Sequence, residues 1–164
     1  MKITTRLAPL FFVFAILVST ESNATNTKRD ILGKWNCGPA IMKGPQATVT
    51  ASWSVNYLPD HTYIELTSTK VDPTDRPSFS TIYRSEGRWE IKGKVLETQS
   101  TKEEFISATD PFISKAMGQK VLEEQVTAKP ISHSRVLKLN AKELHTFPIN
   151  AKYKEAEVTT TCMR

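Results

Sequence analysis

Cys37 and Cys162, with His61, His133 and His145, are the side chains best suited to hold a metal or to activate a nucleophile. No histidine stands two or four positions from another or from a cysteine, so neither a strand nor a helix alone builds a metal site from them. In Ser132-His133-Ser134 a strand sends the serines to one face and the histidine to the other. Without a Gly-X-Ser-X-Gly turn, those serines read as solvent-face residues. Glu103-Glu104 and Glu123-Glu124 are adjacent carboxylates that point in different directions, not the opposed pair that glycoside hydrolysis requires. None of the 6 glycines lies in a phosphate-cradling motif. The expectation is no catalytic residue, no metal and no cofactor, with enzymatic activity lacking a named centre.

The positive signal is aromatic. Trp53, Tyr57, Tyr63, Phe79, Tyr83 and Trp89 fall on segments that read as neighbouring strands. If their faces point inward, they line the interior of a sheet structure and form candidate ligand-binding walls. The same rings could equally fill a core, because a barrel of about eight strands is either packed with side chains or holds one small ligand.

The elements that must position these rings are mostly strands. Val49, Ala51, Trp53, Val55 and Tyr57 alternate with Thr50, Ser52, Ser54 and Asn56, the period of two that marks a half-buried strand. Pro59-Asp60-His61 predicts a turn, and residues 62–70 a returning strand. Residues 31–37 predict a first strand, followed by loop punctuation at Gly38-Pro39 and Gly44-Pro45. Residues 71–78 read as a connection. Residues 79–84 and 88–91 read as strands, with Lys92-Gly93 turning into 95–98. Residues 99–109 read as a polar loop. A helix is predicted around 110–123, capped by Thr109 or Asp110 with Pro111 in its first turn. Phe112, Ile113, Ala116, Met117 and Val121 would form its packing stripe, with Gly118 weakening it. Strands at 134–139 and around 158–162, and a less regular one at 143–147, complete the pattern.

The opening 24 residues suggest a destination. Lys2 and Arg6 precede an apolar run from Leu7 to Val18, and Ser22-Asn23-Ala24 offers small residues for cleavage, so 1–24 reads as a secretory signal peptide. The apolar run falls short of the roughly 20 residues a spanning helix needs. Residues 25–164 are expected to form one domain, periplasmic or secreted, with no integral membrane segment. Removing Lys2, Arg6 and Glu21 takes the net charge from +5 to +4. That charge is spread along the chain with no basic block, which argues against a nucleic-acid partner. In an oxidising compartment Cys37 and Cys162 read as a disulfide, which would lay the first and last strands side by side.

Seven or eight strands and one helix predict a mainly β fold, an antiparallel up-and-down barrel that removes its own edges by closing. Gly33-Lys34-Trp35 at the head of the first strand resembles the Gly-X-Trp motif of the lipocalins and lipocalin-like bacterial barrels. The resemblance covers about the first third of the chain, and the Gly87-Arg88-Trp89 triplet repeats the motif's form mid-chain. The family's Thr-Asp turn is not matched by Val71 to Asp75, and the helix lies mid-chain rather than before the last strand. The resemblance implies that Trp35 plugs one end of the barrel and that Arg164 packs across it. It also implies an exported monomer that binds a small hydrophobic or amphipathic molecule. The competing expectation is an inhibitor or immunity-type protein that grips an envelope protein through loops at 71–78 and 99–109.

Overall fold

The computed structural model describes residues 29–128, 131–149 and 157–164; the predicted signal peptide lies outside them. Eight antiparallel strands run β1 (Gly33–Lys43), β2 (Ala47–Tyr57), β3 (Thr62–Pro73), β4 (Phe79–Lys92), β5 (Val95–Ala108), β6 (Ile131–Leu139), β7 (Glu143–Ile149) and β8 (Thr160–Met163). Each pairs with its neighbour in sequence, and β8 pairs back onto β1, so the sheet is a closed up-and-down barrel. Closure rests on a short ladder in which Cys37 lies opposite Cys162, and the two form a disulfide with Sγ atoms 2.06 Å apart.

Several strands outrun their sequence signals. The first does not stop at Cys37: Gly38 and Pro39 form a bulge between Cys37 and Ala40, and β1 then continues to Lys43. Gly38 is required there, since its φ of 96° is left-handed and an added Cβ would lie 2.7 Å from the Ala51 carbonyl oxygen. Segments 79–84 and 88–91 are one strand, β4, because Gly87 sits inside it under the Tyr63 ring, where a Cβ would approach Cε1 to 2.7 Å. The expected loop at 99–109 is also strand, as far as Ala108. β3 likewise takes in residues 71–73, leaving a shorter loop before Phe79.

The helix spans Lys115–Thr127, later than its sequence pattern suggests. Ser114 is its N-cap, the Met117 N–H donating to Ser114 Oγ at 3.2 Å. Asp110 instead accepts from the Phe112 N–H in a separate turn. The expected packing stripe is turned outward: Phe112 is 86% exposed, and Met117 and Val121 are about half exposed. The inward face carries Gly118 and Leu122. Gly118 lets the helix backbone approach the Phe105 ring so closely that an added Cβ would lie 2.5 Å from it.

This helix covers a gap in the barrel wall. The β5–β6 ladder joins only Val95–Gln99 to Ile131–Arg135, leaving the far half of β5 without a strand on that side. The Gln119 side chain takes the strand's place. Its amide donates to the Glu103 carbonyl at 3.0 Å and accepts from the Phe105 N–H at 2.9 Å. Two backbone groups that an open edge would expose are thereby satisfied.

The densest core lies at one end. Ile31 and Trp35 are fully buried, with Leu144 and Val55 within 2% of it. The Trp35 indole N–H donates to the Ile31 carbonyl at 2.7 Å. Arg164 places its guanidinium carbon 3.9 Å from the centre of the Trp35 ring and donates to the carbonyls of Asp30 and Leu32. Strand register sets the interior above this plug as stacked rows, since residues directly opposite on antiparallel strands share a face. One row reads Trp35, Val55, Glu65, Ser85 and Glu103; the next reads Cys37, Trp53, Thr67, Tyr83 and Phe105.

Candidate functional site

Between the plugged end and the opposite loops the barrel holds a half-open cavity of about 440 Å³. Trp53, Tyr57, Tyr63 and Tyr83 line one side, and Leu96, Ser132, Ser134, Leu144 and Thr146 line the other. Glu65, Ser85 and Glu103 form a polar band in the wall between them. Among the described residues the lining contains no Lys, Arg or His.

Of the six aromatic residues singled out from the sequence, four therefore meet at this cavity. Trp89 is buried beside it, edge-on to Tyr57 with ring centres 5.6 Å apart and stacked on His61 at 5.0 Å. Its indole N–H donates to the Leu58 carbonyl, so the ring closes the barrel floor and does not face the open volume. Phe79, at the start of β4, lies under the Arg76 guanidinium at 5.0 Å. Its place is at the end of the strand, away from the cavity wall.

The hydroxyls run opposite to expectation. Ser132 and Ser134 face the cavity, whereas His133 points outward, with Nε2 3.6 Å from Glu97 Oε1. The β5–β6 register explains this, because Ser134 pairs with the buried Leu96 and Ser132 with Thr98.

Sequence reasoning passed over Glu65 and set Glu103 aside as half of an adjacent pair. Both sit directly opposite Ser85, on the strands either side of it. Their backbones are thus two strand spacings apart, about 10 Å. Glu65 Oε1 accepts from the Thr67 hydroxyl at 2.7 Å. By accessible area Glu65 is half-buried, but the surface it retains belongs to the cavity it lines. Loss of hydration raises its carboxyl above the ordinary range; the Thr67 hydrogen bond opposes that shift, and the charge of Glu103 adds to it. Glu103 is raised by the same loss of hydration, opposed by the Ser100 and Ser85 hydroxyls. Its Oε2 is buried with no hydrogen-bond partner among the described residues.

The phenols are shifted in the same sense. Burial, followed by the Glu65 charge, pushes Tyr63 up to about 12 and raises Tyr57 and Tyr83 as well. They stay protonated, so each presents a neutral O–H and a ring surface. Among the described residues, no group of three or more His, Cys, Asp or Glu side chains is placed to hold a metal ion.

A second depression, of about 560 Å³, lies outside the barrel wall along His61, Arg88, Trp89, Lys92 and Glu97. Its carboxylates are paired: Lys92 Nζ sits 2.7 Å from Glu97 and 3.3 Å from Glu90. The interior cavity has no such compensation. No helix among the described residues is long and apolar enough to cross a membrane. No protein-family model and no curated protein matches this chain.

Proposed function

We propose that this chain is a lipocalin-like binding protein that holds one small amphipathic molecule inside its barrel and acts in the periplasm or after secretion. The observation that carries the reading is the half-open, mixed-polarity volume above the Trp35 plug. An interior serving stability alone would be filled with apolar side chains, since a buried carboxyl or hydroxyl is costly unless it is paired. Here the wall keeps two carboxyls and several hydroxyls beside aromatic rings, the mixture that orients a ligand with one apolar and one polar end. A volume of about 440 Å³ falls within the range used by small-molecule sites. The disulfide and the signal-like opening residues support an oxidising compartment.

Native mass spectrometry of freshly purified protein tests this reading, together with titration of a fluorescent amphipathic dye. The expected result is one small molecule or one dye per chain. Ala51→Phe, which places a ring in the cavity wall, should abolish binding while leaving the strand signal in circular dichroism unchanged. Dye binding that survives Ala51→Phe would assign the dye to another surface and remove the case for an interior ligand.

A further inference from the structure

We propose that the polar end of the ligand is a cation, an alkylammonium or a similar organic amine, seated between Glu65 and Glu103 with its apolar portion against Tyr57, Tyr63 and Tyr83. The inference rests on the interior-binding reading above and narrows it to a ligand class.

Three observations carry it. The first is charge: among the described residues the cavity wall holds two carboxyls and no Lys, Arg or His, so the formal charge those residues bring to it is negative. A concave site lined by one sign of charge focuses that field and favours a positive guest. The second is placement. Glu65 and Glu103 flank Ser85 across two strand spacings, about 10 Å at the backbone, which leaves room for one ammonium group between inward-pointing side chains. Glu103 lines the cavity there as Glu65 does, and carboxylate lone pairs are acceptors that an ammonium N–H would engage.

The third is the company of rings. Tyr57, Tyr63 and Tyr83 occupy the rows immediately below and above the acidic one, so an amine in the gap meets ring surface on either side. Aromatic faces attract cations, and the flanking surface accommodates an alkyl or aryl tail. A carboxylate or phosphate guest would instead meet two acidic groups and, among the described residues of the wall, no cation. The raised carboxyls fit the same picture: loss of hydration disfavours their ionised form, and a bound cation would favour it.

The test uses three probes of equal shape: phenylbutylammonium, the neutral phenylbutanol and the anionic phenylbutyrate. Each is titrated into the full protein by calorimetry, with Trp53 fluorescence as a second readout. The ammonium should bind about tenfold or more tighter than the alcohol, as expected for a hydrogen-bonded charge, and the carboxylate should bind weakest. Glu65→Gln and Glu103→Gln should each lower ammonium affinity about tenfold, the worth of one charge-assisted contact, and leave alcohol affinity unchanged. Equal binding of ammonium and alcohol by the unaltered protein, or tighter binding of the carboxylate, would overturn the cation assignment while leaving interior binding in place. If none of the three probes binds and the dye of the preceding experiment also fails, interior binding itself falls, and the cation assignment with it.

Discussion

The two ends of one interior row follow opposite rules. At the plugged end Trp35 is fully buried, its single polar atom is bonded to Ile31, and Arg164 closes over its ring. A few strands along the same row, Glu65 and Glu103 line the cavity, and one Glu103 oxygen has no hydrogen-bond partner among the described residues. The first region satisfies every group it buries and so contributes stability. The second carries groups whose hydration is only partly replaced, and it subtracts from stability. Polar groups retained at such a cost are a common signature of a site that completes itself by binding.

Substitutions that separate the two regions should differ in sign. The largest effect is expected at the plug. Trp35→Ala removes a fully buried ring and should destabilise the fold by about 3–5 kcal/mol, read from urea denaturation. If the two regions are independent, whatever fraction still folds should keep the preference for a cationic probe. Replacing both Cys37 and Cys162 by Ala opens the staple between the first and last strands, 125 residues apart in sequence. That change should cost about 2–5 kcal/mol, read as a lower denaturation midpoint. A midpoint equal to that of the unaltered protein would show that the β1–β8 ladder holds the barrel shut without it.

The smallest effect should carry the opposite sign. Because the folded protein raises the Glu65 carboxyl above its ordinary value of 4.5, folding takes up a proton between that value and the raised one. Stability therefore falls as pH rises through that window and is greatest below it, where the group is protonated in both states. Glu65→Gln removes this contribution. At neutral pH the variant should be more stable than the unaltered protein, with a shallower decline above pH 4.5, while its affinity for phenylbutylammonium drops. A gain in thermal midpoint paired with a loss of binding would identify the acidic row as a functional feature. A loss of stability would return Glu65 to the supporting structure.

The sequence disclosed the walls of this cavity better than its chemistry. Alternation through Val49 to Tyr57 placed Trp53 and Tyr57 on one face, and the strand that follows carries Tyr63. Glu65 was readable in principle, since Tyr63, Glu65 and Thr67 alternate without interruption. Hydropathy argued the other way, because Ile64 and Leu66 lie between them and these apolar residues face solvent. Glu103 was hidden by a break in period. Leu96, Thr98 and Ser100 face inward, and strict alternation would next place Lys102 and Glu104 inside. The register instead pairs Gly87 with Ser100 and Glu86 with Lys102, so Thr101 is the extra residue of a bulge and Glu103 turns inward. The helix stripe failed for a related reason. Apolar periodicity marks a coherent face without saying what that face meets, and here Gly118 on another face allows the closer approach to Phe105.

Composition and local pattern alone determined that this chain is mainly strands, that its two cysteines sit near the ends of its strand-forming region, and that a Gly-X-Trp triplet opens that region. Those properties depend on neighbours one to four positions apart, which a linear reading can inspect. Closure of eight strands, the bulges that reset β5 and the meeting of Glu65 with Glu103 across Ser85 were decided only in three dimensions. They depend on register between strands, where a shift of one residue exchanges the inside of the barrel for the outside.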